Sequence, residues 1–519
     1  MRDETTRIRN TWIQEVKEQQ ADLLPWEKLT DNMLNYVMGE LEGYADLRDE
    51  TTGIEWGPYE RIFVSDKLIP QDVTEALKLA INPLEDIPDK EKDRHPGSGG
   101  RVLNLVHPSI CPLVFNESWG THDDGNFGTF SAPGPDQMHI SAMSLSKRFQ
   151  WLPSDFAVGE SGRVKLISPY INNILPKHHN SLVPVIERVM EGAVKLWDHV
   201  LSALGGREPL PSRIIQAPPW KRPPGDHWMP SYYDLSGADM LCIWGDKGEE
   251  PRPEDSDDEA VYDQDPKVWL LNRMLRGPLV FPESPPEYTG ALRDHGGLAY
   301  SLAARKIQVI VKLANIVLTP EMPEYPGGTW HVEGMATESI SENIEPCDLN
   351  FRMSTAPAIP HGQDDTTCME ILYGIRRGDT CIQDIGSVRT QEGRCVAFPN
   401  LYQHKVSPFK LADKTKQGVR KILVFFLIDP TIRIFSASNI PPQQPEAVKH
   451  ALHIQGPSSR FSKLPVELLD RIAEFVPGVM IRSRTQAEAI RQELMKERTV
   501  MIKSVDDEFF GRESNMCEH

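Results

Sequence analysis

The spacing of apolar residues changes along the chain, and each change marks a region. From residue 1 to about 205 the spacing is helical. LTDNMLNYVMGELEGY repeats apolar residues at helical intervals behind a Thr30 or Asp31 cap, and VTEALKLAI predicts a short helix. PVIERVMEGAVKLWDHVLSAL predicts a long amphipathic helix over 184–204, with Val185, Val189, Val194 and Trp197 on one side for core packing. From 305 onward the pattern turns to β-branched and aromatic runs separated by Gly, Pro, Asp and Asn: RKIQVIVKLANIVL, CMEILYGI, CVAFP and VRKILVFFLID. These predict strands of a β-sandwich or jelly roll. Past about 440 the spacing is helical again, in LPVELLDRIAEFV and TQAEAIRQELMKERTVMIKSV. The expected organisation is α+β: 1–205 mostly helical, 206–300 a linker, 301–440 a jelly-roll core and 441–519 helical. Within the linker, the acidic, proline-bearing stretch at about 246–266 is expected to be a disordered insertion loop.

Composition narrows the classes. A chain of 519 residues has room for two or three domains or one large elaborated core. The net charge of −19, from 56 basic and 75 acidic residues, repels phosphate backbones, so no nucleic-acid partner is expected. Seven dispersed cysteines without a CxxC pair argue against a disulfide framework or a cysteine-rich zinc site, and for a reducing, cytoplasmic compartment. The first residues, MRDETTRIRNTW, do not read as a signal peptide, and the run Ile422–Ile428 is too short to span a bilayer, so no membrane partner is expected. A small-molecule substrate remains. Nothing in the pattern sets an oligomeric state. The glycines of HPGSGG miss the GxGxxG spacing and read as a loop.

The candidate chemistry lies in the β-rich region. Pro326-Gly-Gly-Thr-Trp-His331-Val-Glu333-Gly places an imidazole and a carboxylate at i and i+2, which an extended strand presents to one face. Phe398-Pro-Asn-Leu-Tyr-Gln-His404 brings a second histidine to the end of another strand. Two histidines and a carboxylate make a facial triad with three open positions, two for a chelating 2-oxoacid and one for dioxygen. Arg420 shares the parity of Ile422, Val424 and Phe426, so it is expected to point inward and pair with a distal carboxylate. Alone, an HxE pair is more often a loop feature, His404 a satisfied core histidine and Arg420 a salt-bridged edge residue. Their order together is what points to a metal. Asn315, in the preceding strand, is either a donor to the cofactor's inner carboxylate or a structural amide. Lys421 is second to Arg420 but has the opposite parity. Trp330 and Phe351 wall a pocket or pack the core, and His107 and His361 lack partners at ligand spacing.

At these residues the chain resembles the jelly-roll Fe(II)/2-oxoglutarate oxygenase superfamily. More closely it is similar to a large fungal family known only as a domain of unknown function. The stretches carrying the likeness run from LIPQDVTEALKLAINPLEDIPDKEKDRHPGSGGRVLNLVHPS through RFQWLPSDF and SPYINNILP to IQVIVKLANIVLTPEMPEYPGGTWHVEG and GRCVAFPNLYQHKVSPFKLADKTKQGVRKILVFFLIDP. The resemblance implies a double-stranded β-helix, Fe(II) on His331, Glu333 and His404, 2-oxoglutarate held by Arg420, consumption of O2, and release of succinate and CO2. Some similar fungal enzymes oxidise valine and close an aziridine ring. That implies a small aliphatic amino acid as substrate class, by hydroxylation or ring closure in secondary metabolism. One departure stands out: relatives carry an additional apolar, tyrosine-rich strand after HVEG, whereas here Glu338–Ile344 leads straight to the next turn. The rival readings are a catalytically inactive jelly-roll scaffold binding a metabolite or protein, an interaction protein built on the F-box-like LPVELLDRIAEFV, and a zinc or manganese isomerase.

Overall fold

The computed structural model describes residues 2–23, 28–134, 146–175, 179–205, 288–290, 292, 297–332, 335–340, 343–355, 374–453, 460–476 and 480–514. The strands that matter for the site are β1 (Glu55–Trp56), β2 (Phe63–Ser65), β3 (Asp93–Arg94), β4 (Val102–Val106), β5 (Ser154–Val158), β6 (Val164–Leu166), β7 (Lys306–Leu318), β8 (Met335–Ile340), β9 (Asp348–Ser354), β10 (Ile382–Arg389), β11 (Cys395–Ala397), β12 (Gln403–Val406) and β13 (Gly418–Leu427). The helices are α1 (Arg2–Gln19), α2 (Asp31–Asp46), α3 (Gln71–Glu85), α4 (Leu182–Leu204), α5 (Pro445–His453), α6 (Val466–Glu474) and α7 (Arg484–Val505). The class is mixed α+β with antiparallel sheets.

A ten-stranded sheet runs β1-β2-β11-β8-β13-β7-β4-β3, with β5 paired to β7 and β6 paired to β5. Its spine is the pair β7–β13, in register from Val309↔Leu427 to Leu318↔Gly418. The thirteen residues of β7 are long enough for its other edge to take two partners, β5 along its first half and β4 along its second. A second sheet, β10-β9-β12, has three strands.

Alternation of side chains along β7 and β13 gives the large sheet two different faces. Val309, Val311, Leu313, Leu423 and Phe425 pack on α3 and α4, where Val189, Met190, Val194 and Trp197 supply the matching stripe. Gly192 lets α4 come close: a Cβ there would sit 2.9 Å from the Ile69 side chain. On the opposite face, Ile316 and Leu318 meet Ile344, Cys347, Phe409 and Leu411. Beside them, Val64 and Val396 meet Leu349, Phe351, Ile385 and Val388 of the three-stranded sheet. The layers are thus helices, large sheet and small sheet.

Two expectations change. Residues 1–205 are not mostly helical, because β2, β4 and β5 from this region join the large sheet and bond to β11 or β7. Those strands are short and buried on both faces, so they carry no period-2 signal. The expected boundaries at 205 and 301 therefore cut through one sheet. After HVEG the chain does form a strand, β8, between β11 and β13, although only Ala336 and Thr337 pair with β11. The acidic stretch at 246–266 lies outside the described residues, as does most of the linker. Among the described residues no helix is long and apolar enough to cross a membrane.

Candidate functional site

The site is built where the segment 326–331 runs antiparallel to β12. The Gly328 N–H donates to the Val406 carbonyl at 2.9 Å, and His331 and His404 exchange both backbone hydrogen bonds, at 3.2 and 2.9 Å. A directly opposed, doubly bonded pair presents both side chains to the same face. The two imidazoles accordingly lie side by side, ring centroids 4.3 Å apart and inclined by 51°. The approach depends on Gly327, whose φ of +95° few other residues adopt, and whose missing Cβ would meet the Val406 carbonyl oxygen and the Pro408 nitrogen at 3.2 Å.

The surroundings fix each ring. His404 is 7% exposed and packs edge-on against Phe398 at 4.8 Å. Its cross-strand neighbour Phe351 stands at 6.4 Å. His331 Nδ1 lies 2.7 Å from the Thr329 carbonyl oxygen. A carbonyl only accepts, so Nδ1 carries the proton and the Nε2 lone pair of the neutral ring is left for a ligand. On the other side of the strand, the cations of Arg352 and Lys405 lie over the Trp330 ring at 4.5 and 4.4 Å. Arg352 also donates to the Gln403 amide oxygen at 2.6 Å, and Gln403 donates to Asp506 at 2.9 Å, tying the segment after α7 to the strand that carries His404.

Arg420 is fully buried on the face of β13 toward the small sheet, cross-strand from Ile316 and Ile340. Its Nη1 donates to the Cys347 sulfur at 2.7 Å and its guanidinium lies 5.6 Å from the centre of the Phe409 ring. Tyr325 packs against the same cluster. Burial pushes its hydroxyl pKa up, against the opposing pull of Arg420. Val406, two residues from His404, touches both this cluster and the one around Phe351, so the histidine pair and the arginine share one inter-sheet layer.

Asn315 is not brought to that layer. It lies opposite Lys421 on the helix-facing side of the sheet and donates to the Glu85 carboxylate of α3 at 2.6 Å, while Lys421 donates to the same carboxylate at 2.7 and 2.9 Å. A donor to a cofactor beside Arg420 cannot come from the opposite face, so the structural reading of Asn315 replaces the cofactor reading. His107 accepts from the Ser109 backbone N–H at 3.2 Å, away from the pair. Glu333 and His361 lie outside the described residues, and among those described no three metal-ligating side chains come together. The packing of Phe398 on His404 and the contact of Cys347 with Arg420 were not foreseen. Phe398 opens the same run that carries His404, so its place was within reach of the sequence; Cys347 gave no signal.

A cavity of about 830 Å³ adjoins the pair, reaching it at Val332 and Phe398. α4, the segment from Ser146 to Trp151, the end of β13 with the following loop, and α7 supply most of its other walls.

Paired imidazoles between two antiparallel sheets, with a buried guanidinium in the same layer, define the class of site. The chain belongs to the family described as "Protein of unknown function (DUF4246)", whose model matches residues 31–451. Among solved structures it is similar to a selenomethionine-labelled Fe(II)/α-ketoglutarate-dependent dioxygenase, TqaL, at 14% identity and a TM-score of 0.16. The match covers 29% of this chain and 57% of that one, little more than half its length. No curated protein matches the chain.

Proposed function

We propose that this protein is an Fe(II)/2-oxoglutarate-dependent oxygenase acting on a small molecule, built on a double-stranded β-helix. The observation that carries the reading is the side-by-side pair His331 and His404, with His331 Nδ1 anchored on the Thr329 carbonyl. Metal-bound histidines commonly donate their second ring N–H to such an acceptor, which sets the tautomer and aims the other nitrogen. The donor set fits a ferrous ion: two imidazoles, with Glu333, two residues from His331 in sequence, as the proposed carboxylate.

Bound iron, with 2-oxoglutarate and dioxygen, supplies the oxidising chemistry. The chain's own residues do the rest. His331 and His404 would hold the ion, because their paired backbones fix the rings relative to each other. Phe351 and Phe398 keep the His404 side dry, which strengthens every polar contact made there. Arg420 would hold the distal carboxylate of 2-oxoglutarate, its Nη1 already donating to Cys347 and its guanidinium beside the Phe409 ring. Lys421 is committed to Glu85 on the other face and takes no part.

The test is anaerobic addition of Fe(II) and 2-oxoglutarate, read by the weak visible charge-transfer band of the chelate. The wild type and Lys421→Ala should both develop it. Arg420→Ala should need at least tenfold more 2-oxoglutarate, in line with the loss of about 1.5–3 kcal/mol for a charge-assisted contact. A folded wild type without the band would leave the inactive-scaffold reading.

A further inference from the structure

The cavity beside the histidine pair is large and its surface is mainly hydrocarbon. At about 830 Å³ it is near the top of the ~300–1,000 Å³ range of pockets that enclose drug-sized ligands. A molecule of valine's size would fill a small part of it. Trp151, Trp197, Phe149, Phe398, Phe425 and Phe426 line it. Two polar groups in the wall are already engaged within the protein. Gln150 donates to the Phe435 carbonyl at 2.7 Å, and Asp429 accepts from the Thr431 backbone and hydroxyl at 2.8 and 2.7 Å. The Arg498 guanidinium lies over the Trp151 ring, 3.7 Å from its centre.

The position of the cavity is as informative as its size. It touches the candidate centre through Val332, next to His331, and through Phe398, which packs on His404. One wall comes from α4 through Val200, Leu201 and Leu204, and another from α7 through Leu494, Arg498 and Met501. α7 lies beyond the segment that matches the family model, which ends at residue 451.

We propose that the substrate of this site is a molecule with a long or polycyclic apolar body, several times larger than an aliphatic amino acid, and that α7 sets its size limit. This rests on the oxygenase reading for what happens to the substrate, but not for whether it binds. The driving force is burial of ligand hydrocarbon against the aromatic wall. A wall built by α7 also means that relatives with a different segment there would take different substrates on the same histidine pair.

Titration of the full-length, iron-free protein with cis-parinaric acid, followed by the fluorescence of the bound polyene, tests this. Saturable binding of one molecule per chain is expected, and millimolar valine should not displace it. Leu204→Trp and Met501→Trp fill the cavity from partly exposed helix positions that tolerate a larger side chain, and each should weaken binding at least tenfold with an unchanged circular dichroism spectrum. His404→Ala should bind the probe within threefold of wild type, so loss of the metal site and loss of the cavity are read separately. No saturable binding, displacement by valine, or undiminished binding in both tryptophan variants would overturn the proposal.

Discussion

The two adjacent glycines before His331 give a matched pair of perturbations. Gly327 has φ +95°, and a Cβ there meets backbone atoms, Val406 O and Pro408 N, at 3.2 Å, which cannot swing away as a side chain would. Gly328 is free of positive φ, and a Cβ there finds its nearest neighbour, Val406 N, at an ordinary 3.6 Å. Gly327→Ala therefore forces a non-glycine residue into a strained region, at about 1–3 kcal/mol. Gly328→Ala instead restricts the unfolded chain and stabilises by about 0.4–1 kcal/mol. The gap between the variants should be about 1.4–4 kcal/mol, the sum of those two ranges. Urea unfolding midpoints, read by circular dichroism and by tryptophan fluorescence, measure it. Because the strained turn also sets how His331 meets His404, Gly327→Ala should lose Fe(II) affinity as well, while Gly328→Ala keeps it. Equal midpoints for the two variants would refute the backbone geometry on which the site is built.

Other consequences follow from groups away from the histidines. The Tyr300 hydroxyl is buried without a hydrogen-bond partner among the described residues, so Tyr300→Phe should leave the unfolding midpoint unchanged or raise it. Burial pushes the Asp155 carboxyl pKa up, but donors from Ser436, Ser438 and Gln308, with Arg433 nearby, outweigh that and hold it below the ordinary value. A depressed carboxyl stabilises the fold above its unfolded pKa of about 3.9 and loses that contribution as pH falls through the folded value. Asp155→Asn should thus be less stable at pH 7 by about 2–3 kcal/mol, and its stability should fall less steeply below pH 4, as seen in unfolding midpoints across pH 3–7. Glu85→Ala strips the shared acceptor from Lys421 and Asn315. It should cost about 1–2 kcal/mol of stability while 2-oxoglutarate binding, measured calorimetrically, stays unchanged.

The long elements were legible because each exposes one face and buries another. The α4 stripe of Val189, Val194 and Trp197 and the strands β7 and β13 lie where apolar periodicity put them. The short strands β2, β4 and β5 were not legible: they are sandwiched between neighbours, and three to five buried residues show no period. At the site, parity alone set Arg420 and Lys421 on opposite faces, because alternation along a strand is a rigid rule. The same rule would have sent Asn315 to the Lys421 side had its pairing register been known. Register is a tertiary property, and no local pattern in β7 states that Asn315 meets Lys421 while Ile316 meets Arg420. Cys347 reaches Arg420 by the same kind of long-range packing.

On the proposed function, His331, Glu333 and His404 hold one metal ion. Anaerobic titration of the apo-protein with Fe(II), and with Co(II) as a spectroscopic substitute, measures it directly by stoichiometry and affinity. One ion per chain is expected in the wild type, with binding weakened at least tenfold in each of His331→Ala, Glu333→Ala and His404→Ala while the unfolding midpoint shows each variant still folded. A folded wild type that binds no ion, or binds one that all three variants retain, would contradict the account.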